Sequence, residues 1–346
     1  MPHSAKAVLA LCLVASSTAH AWDRGPANRF ATLPRGTAHP EGIAVDGAGN
    51  VFVADFDVNR ASGPGQVVVF DHSGRLLRVV DVAGSSNLLL GLDFHRVGDA
   101  VELLVIDFGK RDVLRVDPVT GASTIFTSIP GAAGPNALTF DEEGNVYVSD
   151  SFQGIIWKTG PTGGAATVWA QSPLLTTTGV PPFGANGLAF NRAGTALFVA
   201  NTGDDTVVKI PVATGTAEVF VNGVNGADGL AIDPDDNIWV VANQADEIVV
   251  LDPTDGHAIA KLGDFDGISP DGAPVGLLFP ASLAFHGEHV YVTNLALDLR
   301  LFNPAFDAVD SAWAAAVTRH TVARLPRHLA PGVGRRSTSA HTPERL

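Results

Sequence analysis

One unit recurs six times along this chain of 346 residues. Its clearest copy, residues 227–243, reads ADGLAIDPDDNIWVVAN. Leu230 with Ile232, and Ile238 with Val240, alternate with other residues as strand positions do. Pro234-Asp235-Asp236-Asn237 between them are residues that bend chains. The other copies lie at 41–56, 90–108 (the loosest), 136–152, 186–201 and 281–294. Their first strands begin at 42, 91, 137, 187, 229 and 282, a period of 42–53 residues. Two further strand-like runs follow each copy, for instance GIIWKT (154–159) and ATVWAQ (166–171). Short strands at this period predict an all-β fold, a six-bladed β-propeller with four antiparallel strands per blade. A pair of β-sandwiches would not require six aligned copies.

The residue immediately before each first strand is where chemistry is expected. Inner strands of a propeller line its axis, so equivalent positions converge there. That position carries Glu41, Leu90, Asn136, Asn186, Asp228 and Ala281. Two carboxylates and two amides supply oxygen ligands that suit calcium or magnesium, and two carboxylates match one divalent ion in charge. Zinc would want His or Cys. Asn and Asp also simply precede strands as turn residues, although Glu41 fits that role poorly. Leu90 and Ala281 are expected to face the same channel and shape an apolar part of a pocket. The second strands end at Asp55, Asp107, Asp150, Asn201, Asn243 and Asn294. These read mainly as caps on a repeated turn, with one or two orienting ligands. His39 reads as a loop residue.

The remaining stretches bound the setting. Residues 1–21 combine Lys6, an apolar run from Ala7 to Val14 and the pattern Ala19-His20-Ala21. That is a secretory signal peptide cleaved after Ala21, so an exported, periplasmic or secreted protein is expected. The one cysteine, Cys12, leaves with it, and packed sheets rather than disulfides must stabilise the rest. Loss of Lys6 leaves 21 Lys and Arg against 36 Asp and Glu, a net charge of −15. Nucleic acid is a poor partner for such a chain, and no later segment is apolar enough to span a membrane. A monomer is expected. The propeller is expected over 22–326, with 327–346 a disordered tail. Residues 29–33 and 320–326 compete for the outer strand of the last blade. The Ala-rich segment 305–318 allows a short helix. Long connections at 57–65, 172–185 and 263–280 fall on one rim, where pockets form on rigid scaffolds.

The motifs HPEG (39–42), PNALTFD (135–141), ANGLAFN (185–191) and ADGLAID (227–233) resemble the gluconolactonase and regucalcin (senescence marker protein) superfamily of six-bladed propellers. The resemblance covers roughly 38–303. It implies a divalent metal held by Glu41, Asn136, Asn186 and Asp228, with Asp228 also serving as general base or positioning the attacking water. Sugar-lactone members carry an Arg two residues before the first Asn. Here Gly134 stands there, which puts aldonolactone specificity in question. A metal-dependent lactonase or ester hydrolase acting on a small molecule is the expected function. A non-catalytic, calcium-stabilised propeller binding a protein, peptide or glycan is the alternative, and a strictosidine-synthase-like or lyase activity a remote one. No G-x-S-x-G or G-x-G-x-x-G string is present to support a serine hydrolase or a nicotinamide enzyme.

Overall fold

The computed structural model describes residues 24–307 and 310–329. The expected signal peptide (1–21) and most of the expected disordered tail (327–346) therefore lie outside the described residues. Six four-stranded antiparallel sheets are arranged in a ring. Blade one runs outward through His39–Val45, Val51–Phe56, Gln66–Phe70 and Leu76–Asp81. The innermost strands of blades two to six are Leu89–Val97, Pro135–Phe140, Ala185–Phe190, Ala227–Ile232 and Pro280–His286. Each inner strand touches the next, and the sixth touches the first. Apolar clusters fill the spaces between blades. Trp239, Val241 and Ile248 of blade five, for example, pack on Leu283, Val292 and Leu325 of blade six.

The two competing end segments are both used. Thr321–Pro326 is the third strand of blade six, and Asn28–Thr32 adds outside it as the fourth. Asn28 pairs with Arg324 and Thr32 with Thr321. The Ala-rich segment forms one helical turn, Ser311–Ala314. A two-stranded hairpin, Phe265–Ile268 with Pro274–Gly276, occupies the connection before blade six.

In blades one, three and five the turn between first and second strands is written in the sequence as Asp-x-x-x-Asn. Asp46 accepts from the Asn50 backbone at 2.8 Å and from its side-chain amide at 2.7 Å. Asp141 holds Asn145 in the same way, and so does Asp233 with Asn237. A carboxylate that ties its own loop shut leaves the chain little choice of turn. The residue before each Asn is left-handed: Gly49, Gly144 and, in blade five, Asp236 at φ 70°.

A second repeated feature positions the axis. Every inner strand breaks register with its neighbour at the same place, between Pro40 and Ile43, Leu89 and Leu92, Pro135 and Leu138, Ala185 and Leu188, Ala227 and Leu230, and Pro280 and Leu283. A bulge frees residues from the ladder and re-aims their side chains. The pre-strand position lies inside all six bulges, followed by Gly42, Gly91, Ala137, Gly187, Gly229 or Ser282. At the glycines the next blade's backbone comes very close. A Cβ on Gly42 would sit 2.3 Å from the Leu90 carbonyl oxygen, and one on Gly187 would sit 2.4 Å from that of Asp228. Small residues here are what let the inner strands converge.

Candidate functional site

In five of the blades the bulge directs one side chain toward the axis. Glu41, Asn136, Asn186 and Asp228 meet there, and all four are buried. They line a cavity of about 50 Å³ whose remaining wall includes Phe56, Leu90, Pro181, Phe183 and Phe279. Glu41, Asn136 and Asn186 also close the inner end of a larger cavity of about 410 Å³ on the other side. The polar ring thus divides the channel into a narrow side, which Asp228 faces, and a wide side.

The two amides are held by hydroxyl groups from the next strand. Asn186 donates through Nδ2 to Thr202 Oγ1 at 3.0 Å, and Asn136 through Nδ2 to Ser151 Oγ at 3.5 Å. The Ser151 hydroxyl donates in turn to the Ala185 carbonyl at 2.7 Å. With each NH₂ turned outward, the amide oxygens are left for the channel. Asn243 donates to Asp228 Oδ2 at 2.9 Å. The Thr293 hydroxyl donates to the Glu41 backbone carbonyl at 2.7 Å, tying blade six to blade one.

The carboxylates are not satisfied by protein. Asp228 Oδ1 and Glu41 Oε2 are buried without a hydrogen-bond partner. Buried polar atoms are nearly always paired, and buried charge is costly unless compensated. Loss of water raises the Asp228 pKa to about 7, against the pull of the hydrogen bond from Asn243. Burial raises Glu41 well above its usual range, and the nearby Asp228 charge raises it further. Two bare carboxylate oxygens and two outward-held amides form a hard, oxygen-only donor set with excess negative charge. That set fits a divalent cation such as calcium.

Five members of the ring of Asp and Asn at the second-strand ends are loop caps. Asp55 accepts from Ala38 N at 2.8 Å and Asp107 from Ser86 N at 2.8 Å. Asp150 accepts from Gly134 N at 2.9 Å and Trp157 Nε1 at 3.0 Å. Asn201 and Asn294 bond the loops at Leu174 and Gly276. Asn243 departs from this pattern, since its amide serves Asp228. Nothing but position distinguishes it in the sequence. Ser151 and Thr202 were also missed, although each directly follows a member of that ring.

Other expectations need correction. Ala281 does not line the channel; it is fully buried with Leu90, Phe279 and Leu295, under the segment that follows blade six's second strand. Leu90 does line the narrow side. His39 is no loop residue. It begins the blade-one inner strand, is buried, bonds the Leu295 carbonyl at 3.0 Å and stacks edge-on against His320 at 4.6 Å. Of the three long loops, 172–185 supplies Pro181 and Phe183 and 263–280 supplies Phe279, while 57–65 contributes nothing to the narrow side. Leu295, Leu297 and Leu299 complete that wall. They come from a connection that carries no periodicity to announce it.

Away from the axis, Asp252, Asp255 and His257 bring ligand atoms within 4.8 Å of one another on an exposed turn of blade five. There Asp252 caps the Thr254 amide at 2.7 Å. No helix among the described residues is long and apolar enough to cross a membrane.

The family described as SMP-30/gluconolactonase/LRE-like region matches residues 109–263. No curated protein matches the sequence. Among solved structures, the calcium-binding protein regucalcin from Agrobacterium tumefaciens is 18% identical with a TM-score of 0.59, over 87% of this chain and 92% of its own. A putative gluconolactonase is 19% identical with a TM-score of 0.59, over 88% and 92%. Virginiamycin B lyase from Staphylococcus aureus is 15% identical with a TM-score of 0.54, over 76% and 80%. At these identities the structural likeness speaks to the fold. The resemblance is borne out in a matching family region that contains three of the four motifs, PNALTFD, ANGLAFN and ADGLAID, set within a six-bladed propeller.

Proposed function

We propose that this chain, with its SMP-30/gluconolactonase/LRE-like region, is a metal-dependent hydrolase of lactones or related esters, exported after cleavage at Ala21. One observation carries the reading: two buried carboxylates with bare oxygens beside two amides whose nitrogens are tied back. Glu41, Asn136, Asn186 and Asp228 are the residues that would hold a divalent cation, calcium by preference. When bound, such an ion polarises an ester carbonyl and stabilises charge developing on its oxygen.

The chain's own residues do the rest. Asn243 fixes Asp228 through Oδ2, and the carboxylate so held accepts a proton from a water molecule. Water so activated adds to the carbonyl carbon, the C–O bond of the ester breaks, and the proton passes from Asp228 to the departing alkoxide. The products are a carboxylate and an alcohol, joined in one molecule when the substrate is a lactone. The wall formed by Phe56, Leu90, Phe183 and Phe279 keeps bulk water from the carboxylate and takes the apolar part of the substrate. A family region whose description includes gluconolactonase supports a lactonase-type propeller, while Gly134 speaks against a tightly held sugar acid.

A second reading rests on size. The narrow side holds about 50 Å³, room for an ion and a water. A calcium-stabilised propeller that binds a protein, peptide or glycan on its rim needs no more. A panel of short, long and aromatic lactones, assayed with and without chelator, separates the two. Chelator-sensitive turnover supports the hydrolase. Calcium bound near one per chain without turnover supports the binding protein. Unchanged calcium affinity in a Glu41→Gln, Asp228→Asn double variant refutes the ligand set. Mass spectrometry of exported protein, with Trp22 first, tests cleavage.

A further inference from the structure

The two sides of the ring differ in more than width. Three residues beyond the ring, the inner strands carry Ala44, Asp93, Thr139, Ala189, Ala231 and Ala284, and all six line the 410 Å³ cavity. Four alanines and a threonine keep this level wide. Asp93 is its one charged member. It stands, at about 3.3 Å per residue, roughly 10 Å along the strand from the level of Glu41. Asp93 is solvent-accessible, and it makes no ion pair among the described residues. Its side chain accepts only from its own neighbour, the Phe94 amide, at 2.7 Å. Loss of bulk water raises its pKa to about 6, as befits a carboxylate that faces a channel rather than the open surface. On the narrow side, by contrast, aromatic rings are stacked over the approach. Phe108, Phe152 and Phe183 lie with centroids 5.7–6.4 Å apart, and Leu295, Leu297 and Leu299 make the wall beside them apolar.

We infer that the wide side of the channel is the route by which the cation reaches and leaves the ring, with Asp93 as its outer docking carboxylate. This rests on the metal-site reading above and adds to it a path and a residue. An apolar constriction bars a hydrated ion, since each shed water must be replaced by an oxygen ligand. The wide side offers a cavity of about 410 Å³, a carboxylate without an ion pair part-way and the ring at its end. A charged residue inside such a cleft raises the local cation concentration and the rate of capture. It also leaves the narrow side, where Asp228 is directed, free for substrate.

The test is calcium exchange, read by stopped-flow with a fluorescent chelator, which requires no turnover. Asp93→Asn is expected to slow uptake about three- to tenfold, with a smaller change in release, and the effect should shrink as salt rises. Ala284→Phe, which narrows the alanine level, is expected to slow uptake and release by the same factor and leave equilibrium affinity unchanged. An unchanged affinity also shows that this variant folds. Phe183→Ala, on the narrow side, is expected to leave both rates within twofold of wild type. Rates unaffected by Asp93→Asn and Ala284→Phe, or exchange accelerated by Phe183→Ala, would overturn the route while leaving the metal site standing. A wild-type protein that binds no calcium overturns both.

Discussion

Asp228 is distinguished from its neighbours by what reaches it. One oxygen is claimed by Asn243 at 2.9 Å and the other by nothing in the protein. Asp228→Asn keeps a coordinating oxygen but cannot take a proton, so hydrolysis at saturating metal is expected to fall by about 10²–10⁴. Asn136→Ala removes a ligand oxygen instead, and excess metal is expected to restore much of its activity. Equal loss and equal rescue in the two variants would deny Asp228 a special part. Titration offers a separate check, away from the axis. Burial and the Asp310 charge raise the Asp246 pKa to about 8, despite a 2.7 Å bond from the Phe279 amide. The folded state therefore holds a proton that the unfolded chain releases near pH 4, so this residue's contribution to stability falls as pH rises from about 4 to 8. Asp246→Asn retains the oxygen facing Phe279 and removes the charge. Melting curves at pH 5 and 9 are expected to show the variant gaining on wild type at the higher pH. How much of this was readable in the sequence depended on partners. Glu41, Asn136, Asn186 and Asp228 were legible because repetition marks their place. Asn243 was hidden by its likeness to Asn201 and Asn294, which have the same residue type and different partners.

At the scale of the strand, the bulge explains why the pre-strand position is the chemical one. Its residues escape the ladder, so the sheet does not dictate what they are, and an acid, an amide, leucine and alanine all occur there. The following glycines are the condition for it. Gly187→Ala would put a methyl group 2.4 Å from the Asp228 carbonyl and the Leu230 amide. Such overpacking is expected to cost about 1–3 kcal/mol, read as a lower midpoint in urea. Because it presses on the strand that carries Asp228, calcium affinity should drop as well. A destabilised variant with undiminished affinity would show that the ring does not depend on this close approach. Register shifts leave no mark in a sequence beyond a small residue after a polar one, which is why the bulges were not foreseen. The turn at Pro234–Asn237 was, because its cause is local, although the Asp233–Asn237 bonds that close it were not. The wall at Leu295–Leu299 follows from neither repetition nor local chemistry, since its position is set by blades it does not belong to.

Across the whole molecule the ring is held shut by hydrogen bonds between Asn28–Thr32 and Thr321–Pro326, strands from opposite ends of the described chain. Removing residues 24–33 would bare the edge of Thr321–Pro326, and unpaired edges recruit other chains. The shortened protein is expected to melt several degrees lower and to elute partly as aggregate on size exclusion. Intact melting behaviour would mean that three strands suffice for that blade. This closure has a further consequence for when the protein can come into being. Asn28–Thr32 must wait, unpaired, until Thr321–Pro326 has emerged. Blades one to five can form as they are made, but the circle joins only once Thr321–Pro326 is free to pair. Contacts between remote segments form slowly, so an incomplete chain is a stack of sheets with two exposed flanks and the axial oxygens apart. If export precedes folding, the cation is captured after that final joining, outside the compartment where the chain was built.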